Sequence, residues 1–310
     1  MNRAATTMHK CLNQLREWKR NTRVGLLALG VISAAMAGDT QAGDDKPAFG
    51  RALMLTHSAG YEHDVVKRKG KELSLAARQL KTYAAEEYAL DETKDCDTIN
   101  AENLKNYDAV IFYTSGNLPI DKAGRKALVS FVREGGAFVG IHSASDTYKN
   151  KTWYGDLVGG VYNGHPWNTK VTAKVHCATH AATGHLPDQS WTFKDEIYQF
   201  RDLRVEKDEV LLSLSGKHVN RKRGKRDDGR YPLAWARSFG DGRVFYSALG
   251  HRASMWKKEQ FLQHLLGGLR WAARDADVDA KPEQSAKVLF DGSGFDLCKR
   301  HGGGATLARE

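Results

Sequence analysis

Three of the twelve histidines stand where apolar, strand-like runs end: His57, His142 and His251. Others lie close by in the chain, with His63 six residues after His57 and His165 in the run Gly164-His-Pro-Trp167. Neutral imidazoles combined with a carboxylate suit either of two chemistries. They can hold zinc or another divalent ion, for which His63, His142 and His251 are the candidate ligands, or they can pass protons as general acid and base. Asp146, four residues after His142, and Glu196 supply the carboxylates. No H-E-x-x-H helix decides between the two, and the i, i+4 pair His176 and His180 follows a strand-like stretch, which makes its spacing coincidental.

A lone strand-end histidine is commonly a hydrogen-bonded structural residue. What singles these out is the shared position, because ligands of an open α/β sheet bind outside the carboxyl ends of its strands. Residues nearly 200 positions apart can then meet. On that basis His63, His142, Asp146, His165, Glu196 and His251 are expected to carry the chemistry. His57, Tyr61, Tyr148, Trp167 and Tyr198 are expected to line a binding pocket, aromatic rings offering flat apolar platforms to a sugar face. Trp153, Tyr154 and Trp256 belong to the same aromatic set, most of which should be core.

The elements that must position these groups alternate. Residues 51–58 read as a buried strand, followed by a helix over 64–83 with Leu73, Ala77 and Leu80 on one face. Asp108–Ser115 is a second strand. Asp121 caps a helix that Gly135-Gly136 ends, and Ala137–Ser143 is the next strand. Residues 150–200 lack long periodic runs and read as extended loops or short strands laid over the sheet. Strands return at 210–214, 232–237 and 242–249, and a helix over 256–274 carries Leu262, Leu265, Leu266 and Leu269 as one stripe. Such alternation predicts an α/β fold, with a mostly parallel sheet between two helical layers.

The formal charge of +10 invites a nucleic-acid reading until it is located. Residues 1–42 carry six basic and two acidic groups, and residues 221–230 carry the same again, so the rest of the chain supplies only +2. Nucleic acid is therefore not an expected partner, the run Arg221–Arg226 being a solvated loop. Residues 1–23 are basic, Val24–Ala37 is apolar, and small residues follow at Ala35-Met-Ala37 and Thr40-Gln-Ala42. That is the pattern of a secretory signal over 1–42, with no stable membrane anchor after cleavage and a periplasmic or extracellular mature protein. Fourteen apolar residues at about 1.5 Å each fall short of a hydrocarbon core of about 30 Å. Cys96, Cys177 and Cys298 would remain, too few and too dispersed for a cysteine zinc site.

The series His57-Ser-Ala-Gly-Tyr-Glu-His63, Gly135-Gly-Ala-Phe-Val-Gly-Ile-His-Ser-Ala-Ser-Asp146, Gly164-His-Pro166, Asp195-Glu-Ile-Tyr198, Pro232-Leu-Ala-Trp235 and Gly242–His251 resembles the ThuA-like (trehalose-utilisation) family over residues 51–274. The resemblance implies a flavodoxin-like three-layer sandwich of the class I glutamine amidotransferase-like type, and a role in disaccharide, glycoside or 3-keto-sugar metabolism. One departure matters. Where amidotransferases carry the nucleophile in G-x-C-x-G, this chain has Gly140-Ile-His-Ser-Ala144, so thiolate-based glutamine hydrolysis is not expected. Ser143 is a poor substitute if the chain stays extended there, since His142 would then point to the opposite side.

Val288-Leu-Phe-Asp-Gly292 and Phe295-Asp-Leu-Cys-Lys299 resemble the opening of a 3-keto-disaccharide hydrolase domain. The domains expected are thus a signal at 1–42, a ThuA-like domain at 48–274, a linker at 275–286 and a truncated start of that second domain at 287–310. The expected partner is a small carbohydrate. Two roles stay open from sequence, a carbohydrate-active enzyme of hydrolase, lyase or isomerase type and a non-catalytic carbohydrate-binding module.

Overall fold

The computed structural model describes residues 49–273 apart from 187–188, 207–208, 216–218, 227–228 and 230. The signal, linker and second-domain expectations lie outside the described residues. In chain order the elements are β1 (Gly50–Leu55), α1 (Leu75–Tyr83), β2 (Tyr88–Thr93), α2 (Ala101–Leu104), β3 (Ala109–Phe112), α3 (Lys122–Arg133), β4 (Ala137–Ile141), α4 (Thr152–Val158), β5 (Val161–Tyr162), β6 (Trp167–Val175), β7 (Ser190–Ile197), β8 (Phe200–Arg201), β9 (Val210–Leu214), β10 (Pro232–Phe239), β11 (Gly242–Ser247) and α5 (Glu259–Ala273).

Nine strands form one sheet in the order β2-β1-β3-β4-β11-β10-β9-β6-β7. The first five are parallel, as the buried runs of β3 and β4 require, and their order is the flavodoxin-like one, with the chain reversing direction between β1 and β3. Alternate residues of each parallel strand feed two separate cores. Ala52, Met54, Ile111 and Val139 pack under α1 and α5, while Leu53, Leu55, Val110 and Phe138 pack under α3 and α4. The three layers follow directly from that alternation.

Two expectations need correction. The helix over 64–83 is a 3-10 turn at Asp64–Val66 followed, after an irregular stretch, by α1. Gly70 at φ +59° breaks the run, and Ser74 restarts it as a cap, its hydroxyl accepting from Ala77 N at 3.2 Å. Residues 150–200 are also more regular than expected. β6 and β7 are nine- and eight-residue antiparallel strands that extend the sheet through β9 and β10. Three successive exposed residues in β6, Asn168 to Lys170, hide its alternation.

Behind the sheet, His264 of α5 is fully buried between Ala182 O (2.8 Å from Nδ1) and Ser247 Oγ (3.1 Å from Nε2). Its Nδ1–H donates to the carbonyl, which in the neutral ring leaves Nε2 to accept from the serine hydroxyl. Burial pushes its pKa down to about 4. A depressed histidine contributes stability that is present above about pH 6.5 and is lost as pH falls toward 4, by up to about 3 kcal/mol. Thermal unfolding from pH 7 to 4.5 should therefore show a steeper loss in the wild-type chain than in a His264→Gln variant.

Candidate functional site

The carboxyl ends of β1, β3, β4 and β11 open on one edge of the sheet, and the loops there are held by backbone contacts. After β1, Ser58 pairs with Ser115, Ala59 N donates to Ser115 O at 2.9 Å, and Ser115 Oγ donates to Tyr61 O at 2.7 Å. The approach is close enough that a Cβ on Gly116, which has φ +74°, would lie 2.5 Å from Gly60 N. This packing carries His63 inward to 4% exposure.

At the end of β4 the chain turns sharply. His142 has φ +47° and opens a 3-10 turn over His142–Asp146, so the strand stops at Ile141 and the extended geometry expected at Ser143 is not found. His142 thus sits on a strained turn that leads from the strand directly into a helical segment. Its Nδ1–H donates to Ala248 O at 2.7 Å, and the Tyr246 hydroxyl donates to its carbonyl at 2.6 Å. The ring thus has one tautomer when neutral, with the Nε2 lone pair facing inward.

After β11, the backbone flanking His251 is fixed by four hydrogen bonds. Gly250 N and Arg252 N donate to the Asp195 carboxylate at 2.7 and 3.1 Å, while Tyr113 Oη and Trp256 Nε1 donate to Gly250 O at 3.1 and 2.8 Å. Asp195 is fully buried, and burial raises its pKa although both donors oppose the shift. Its loss would leave two backbone donors without that acceptor. Asp195→Ala is therefore expected to cost about 2–4 kcal/mol, read as a lower Tm, with Asp195→Asn intermediate.

Glu196, the next residue on β7, faces the histidines. Its Oε2 lies 3.4 Å from His142 Nε2 and 3.2 Å from His251 Nδ1, and its Oε1 lies 3.2 Å from His165 Nδ1. His63 completes the group, with ring centroids 4.7 Å from His142 and 5.2 Å from His251. One ligand atom from each of His63, His142, Glu196 and His251 falls within 4.8 Å of the other three.

The electrostatics are those of a buried, coupled cluster. Burial first, and the neighbouring imidazoles second, push the His63 pKa down to about 3, so it is neutral at pH 7. The Glu196 carboxylate raises His251 against the effect of burial. Burial alone would raise Glu196, but His142 and His251 outweigh it and hold its pKa well below the usual carboxylate range. Neither ring nitrogen makes a hydrogen bond to the carboxylate, although both are within 3.4 Å. Proximity of charge, rather than a made hydrogen bond, is the cause we assign to these shifts.

A cleft of about 400 Å³ stands over the cluster, lined by Tyr61, His63, Asp146, Tyr162, His165, Glu196, Tyr198 and His251. The fold therefore brings His63, His142, Asp146, His165, Glu196 and His251 together, with Tyr61 and Tyr198 in the walls. It does not bring His57, Tyr148 or Trp167 to the cleft. His57 turns its Nδ1 to Lys94 O at 2.9 Å. Tyr148 and Trp167 are core residues whose polar atoms are satisfied by Leu118 O and Asn220 O, so the platform role expected of them is corrected. Tyr162, which sequence reasoning missed, lies three residues before His165, and burial pushes its pKa up to about 12.

The model of the trehalose-utilisation family, ThuA, matches residues 51–272. The crystal structure of a protein from Bacteroides uniformis described as ThuA-like is 27% identical, with a TM-score of 0.57, covering 73% of this chain and 92% of that one. A second protein described as ThuA-like, from Parabacteroides merdae, is 17% identical with a TM-score of 0.56, covering 74% and 90% respectively, and shows the same fold. No curated protein matches the sequence.

Proposed function

The chain belongs to the ThuA, trehalose-utilisation family, and from that premise we propose that its cleft binds a disaccharide, glycoside or 3-keto-sugar and transforms it over the Glu196 cluster. One observation carries the reading: a single carboxylate set among buried imidazoles forms the floor of a cleft walled by tyrosines. At about 400 Å³ the cleft is within the range of small-ligand sites, about 300–1,000 Å³. The Tyr61 side of the mouth is open, that residue being 66% exposed, and Tyr61, Tyr162 and Tyr198 offer aromatic surface to a sugar ring.

The floor and the rim have different tasks. The buried floor polarises a carbohydrate oxygen, while His165, whose side chain is half exposed and contacts Glu196, exchanges protons with solvent. Asp146, beside Lys149 at 3.2 Å, accepts from a sugar hydroxyl. A cysteine nucleophile has no place in this scheme. Cys96 is buried away from the cleft, and burial pushes its thiol up to about 11, so glutamine hydrolysis is not part of the proposal.

Calorimetry with a panel of disaccharides, glycosides and 3-keto-sugars, followed by NMR of each mixture, tests the reading. A bound sugar that is converted supports it. A sugar that binds and returns unchanged marks a carbohydrate-binding module, and a panel that neither binds nor changes refutes both. We also propose export of the mature protein, on the basic, apolar and small-residue pattern of residues 1–42. The amino terminus of protein recovered from an exporting host should then follow Ala37 or Ala42, as read by intact mass.

A further inference from the structure

Three of the buried polar atoms that lack a hydrogen-bond partner belong to one site: His63 Nδ1, His142 Nε2 and His251 Nδ1. Buried polar atoms are rarely left unpaired, so three in one cluster need an explanation. His63 and His142 are at least nine-tenths buried, at 4% and 0% exposure, which leaves bulk water unable to satisfy them. A proton does not resolve the arrangement. The His142 Nδ1–H is committed to Ala248 O, and an added Nε2–H would find Glu196 Oε2 only at 3.4 Å, beyond the usual range of about 2.7–3.2 Å for an N–H···O bond.

A cation does resolve it. Ligand atoms held tetrahedrally about 2.0–2.1 Å from a zinc ion sit about 3.3–3.4 Å from one another. Glu196 Oε2 lies 3.4 Å from His142 Nε2 and 3.2 Å from His251 Nδ1, and all four ligand atoms fall within 4.8 Å. The outer contacts are those that ligating groups make. His142 is oriented by a backbone carbonyl through its other nitrogen, and the second oxygen of Glu196 faces His165 Nδ1 at 3.2 Å.

We infer that His63, His142, His251 and Glu196 form a divalent transition-metal site, with His63 Nδ1, His142 Nε2, His251 Nδ1 and Glu196 Oε2 as the ligand atoms. Three imidazoles and one carboxylate favour zinc or a neighbouring first-row ion over magnesium or calcium, which prefer oxygen ligands. His63, Glu196 and His251 also line the cleft, so a further coordination position opens toward the bound ligand. The inference rests on the functional reading only in making this ion the agent that polarises the carbohydrate oxygen, as a Lewis acid. It leaves His165 outside the metal shell.

The test uses the full-length, tag-free protein, stripped with a chelator and titrated calorimetrically with zinc chloride and then, separately, magnesium chloride. One zinc per chain is expected, with a Kd below about 1 µM, and no saturable magnesium uptake. His63→Ala and His251→Ala should each weaken zinc binding by at least about 100-fold, while His57→Ala, a strand-end histidine outside the quartet, should not. Absence of saturable zinc uptake, or uptake that the quartet variants leave unchanged, overturns the site. Should the variants fail to fold, visible absorption of the cobalt-loaded wild type decides. Intense bands of a four- or five-coordinate ion support the site, and the weak bands of a hydrated ion refute it. Zinc bound at the quartet by a protein that ignores every sugar would remove the carbohydrate reading and leave the metal site standing.

Discussion

Replacing Glu196 with glutamine is expected to lower turnover of the carbohydrate by about a thousandfold while changing its affinity only severalfold. The size follows from what the carboxylate does in the cluster. It is within 3.4 Å of three imidazoles, and it is the only anionic member of the quartet. Glutamine keeps the shape and removes the charge, so His165 loses the partner that orients it and the floor loses its counter-charge. Loss of a positioned acid–base group costs about 10²–10⁴ in rate. Affinity changes less because the tyrosine walls are untouched. The same substitution has a stability signature. A carboxylate with a depressed pKa contributes stability that is present above the unfolded value, about 4.3, and is lost as pH falls through the folded one. Glu196→Gln should therefore unfold with a shallower dependence on pH below about 4.5. Turnover within tenfold of the wild type would remove Glu196 from the chemistry.

His142→Asn is expected to lower turnover to a similar extent in a chain that still folds. Most residues resist a φ of +47°, but asparagine is several-fold enriched in the left-handed region, so the turn after β4 can be retained. The imidazole cannot be replaced. An asparagine side chain at this position is too short to reach both Ala248 O on one side and Glu196 on the other, contacts that His142 makes with opposite ring nitrogens at 2.7 and 3.4 Å. Because His142 and Glu196 act on one another, the double variant should be scarcely slower than either single one. Multiplicative losses, measured in the same assay, would show that the two residues act independently.

Much of this site was legible in the sequence, and the reason is topological. Parallel strands deliver their following residues to one edge of the sheet, so His142 and His251 could be placed together from strand boundaries, with His63 and His165 joining from loops, whereas His57, expected there by the same rule, turns to Lys94 O instead. Glu196 and Asp195 were visible within Asp195-Glu-Ile-Tyr198, but their division of labour was not. Only the fold shows that Asp195 holds the backbone around His251 while Glu196 faces the cluster. The aromatic walls were harder to read. Tyr148, Trp167 and Tyr198 are all at most 3% exposed, and the difference is that the first two turn their polar atoms to backbone carbonyls in the core. Nothing local distinguishes a ring that packs from one that lines a cleft.

The antiparallel half of the sheet was missed for a related reason. β6 runs Trp-Asn-Thr-Lys-Val-Thr-Ala-Lys-Val, and its burial alternates only from Val171 onward, so its first half reads as a loop. Its place is set by pairing with β7 and β9, which lie well downstream. The α1 region erred in the opposite direction, because one apolar face suggested a continuous helix where Gly70 and Ser74 divide it.

The claim that carbohydrate is transformed over the Glu196 cluster is tested most directly by a crystal structure. The slow Glu196→Gln variant would be soaked with the sugar that the wild-type protein converts. A sugar ring against the tyrosine walls is expected, with one of its oxygens over the floor formed by His63, His142 and His251. A sugar bound elsewhere on the protein, with the cleft holding only water, would contradict it.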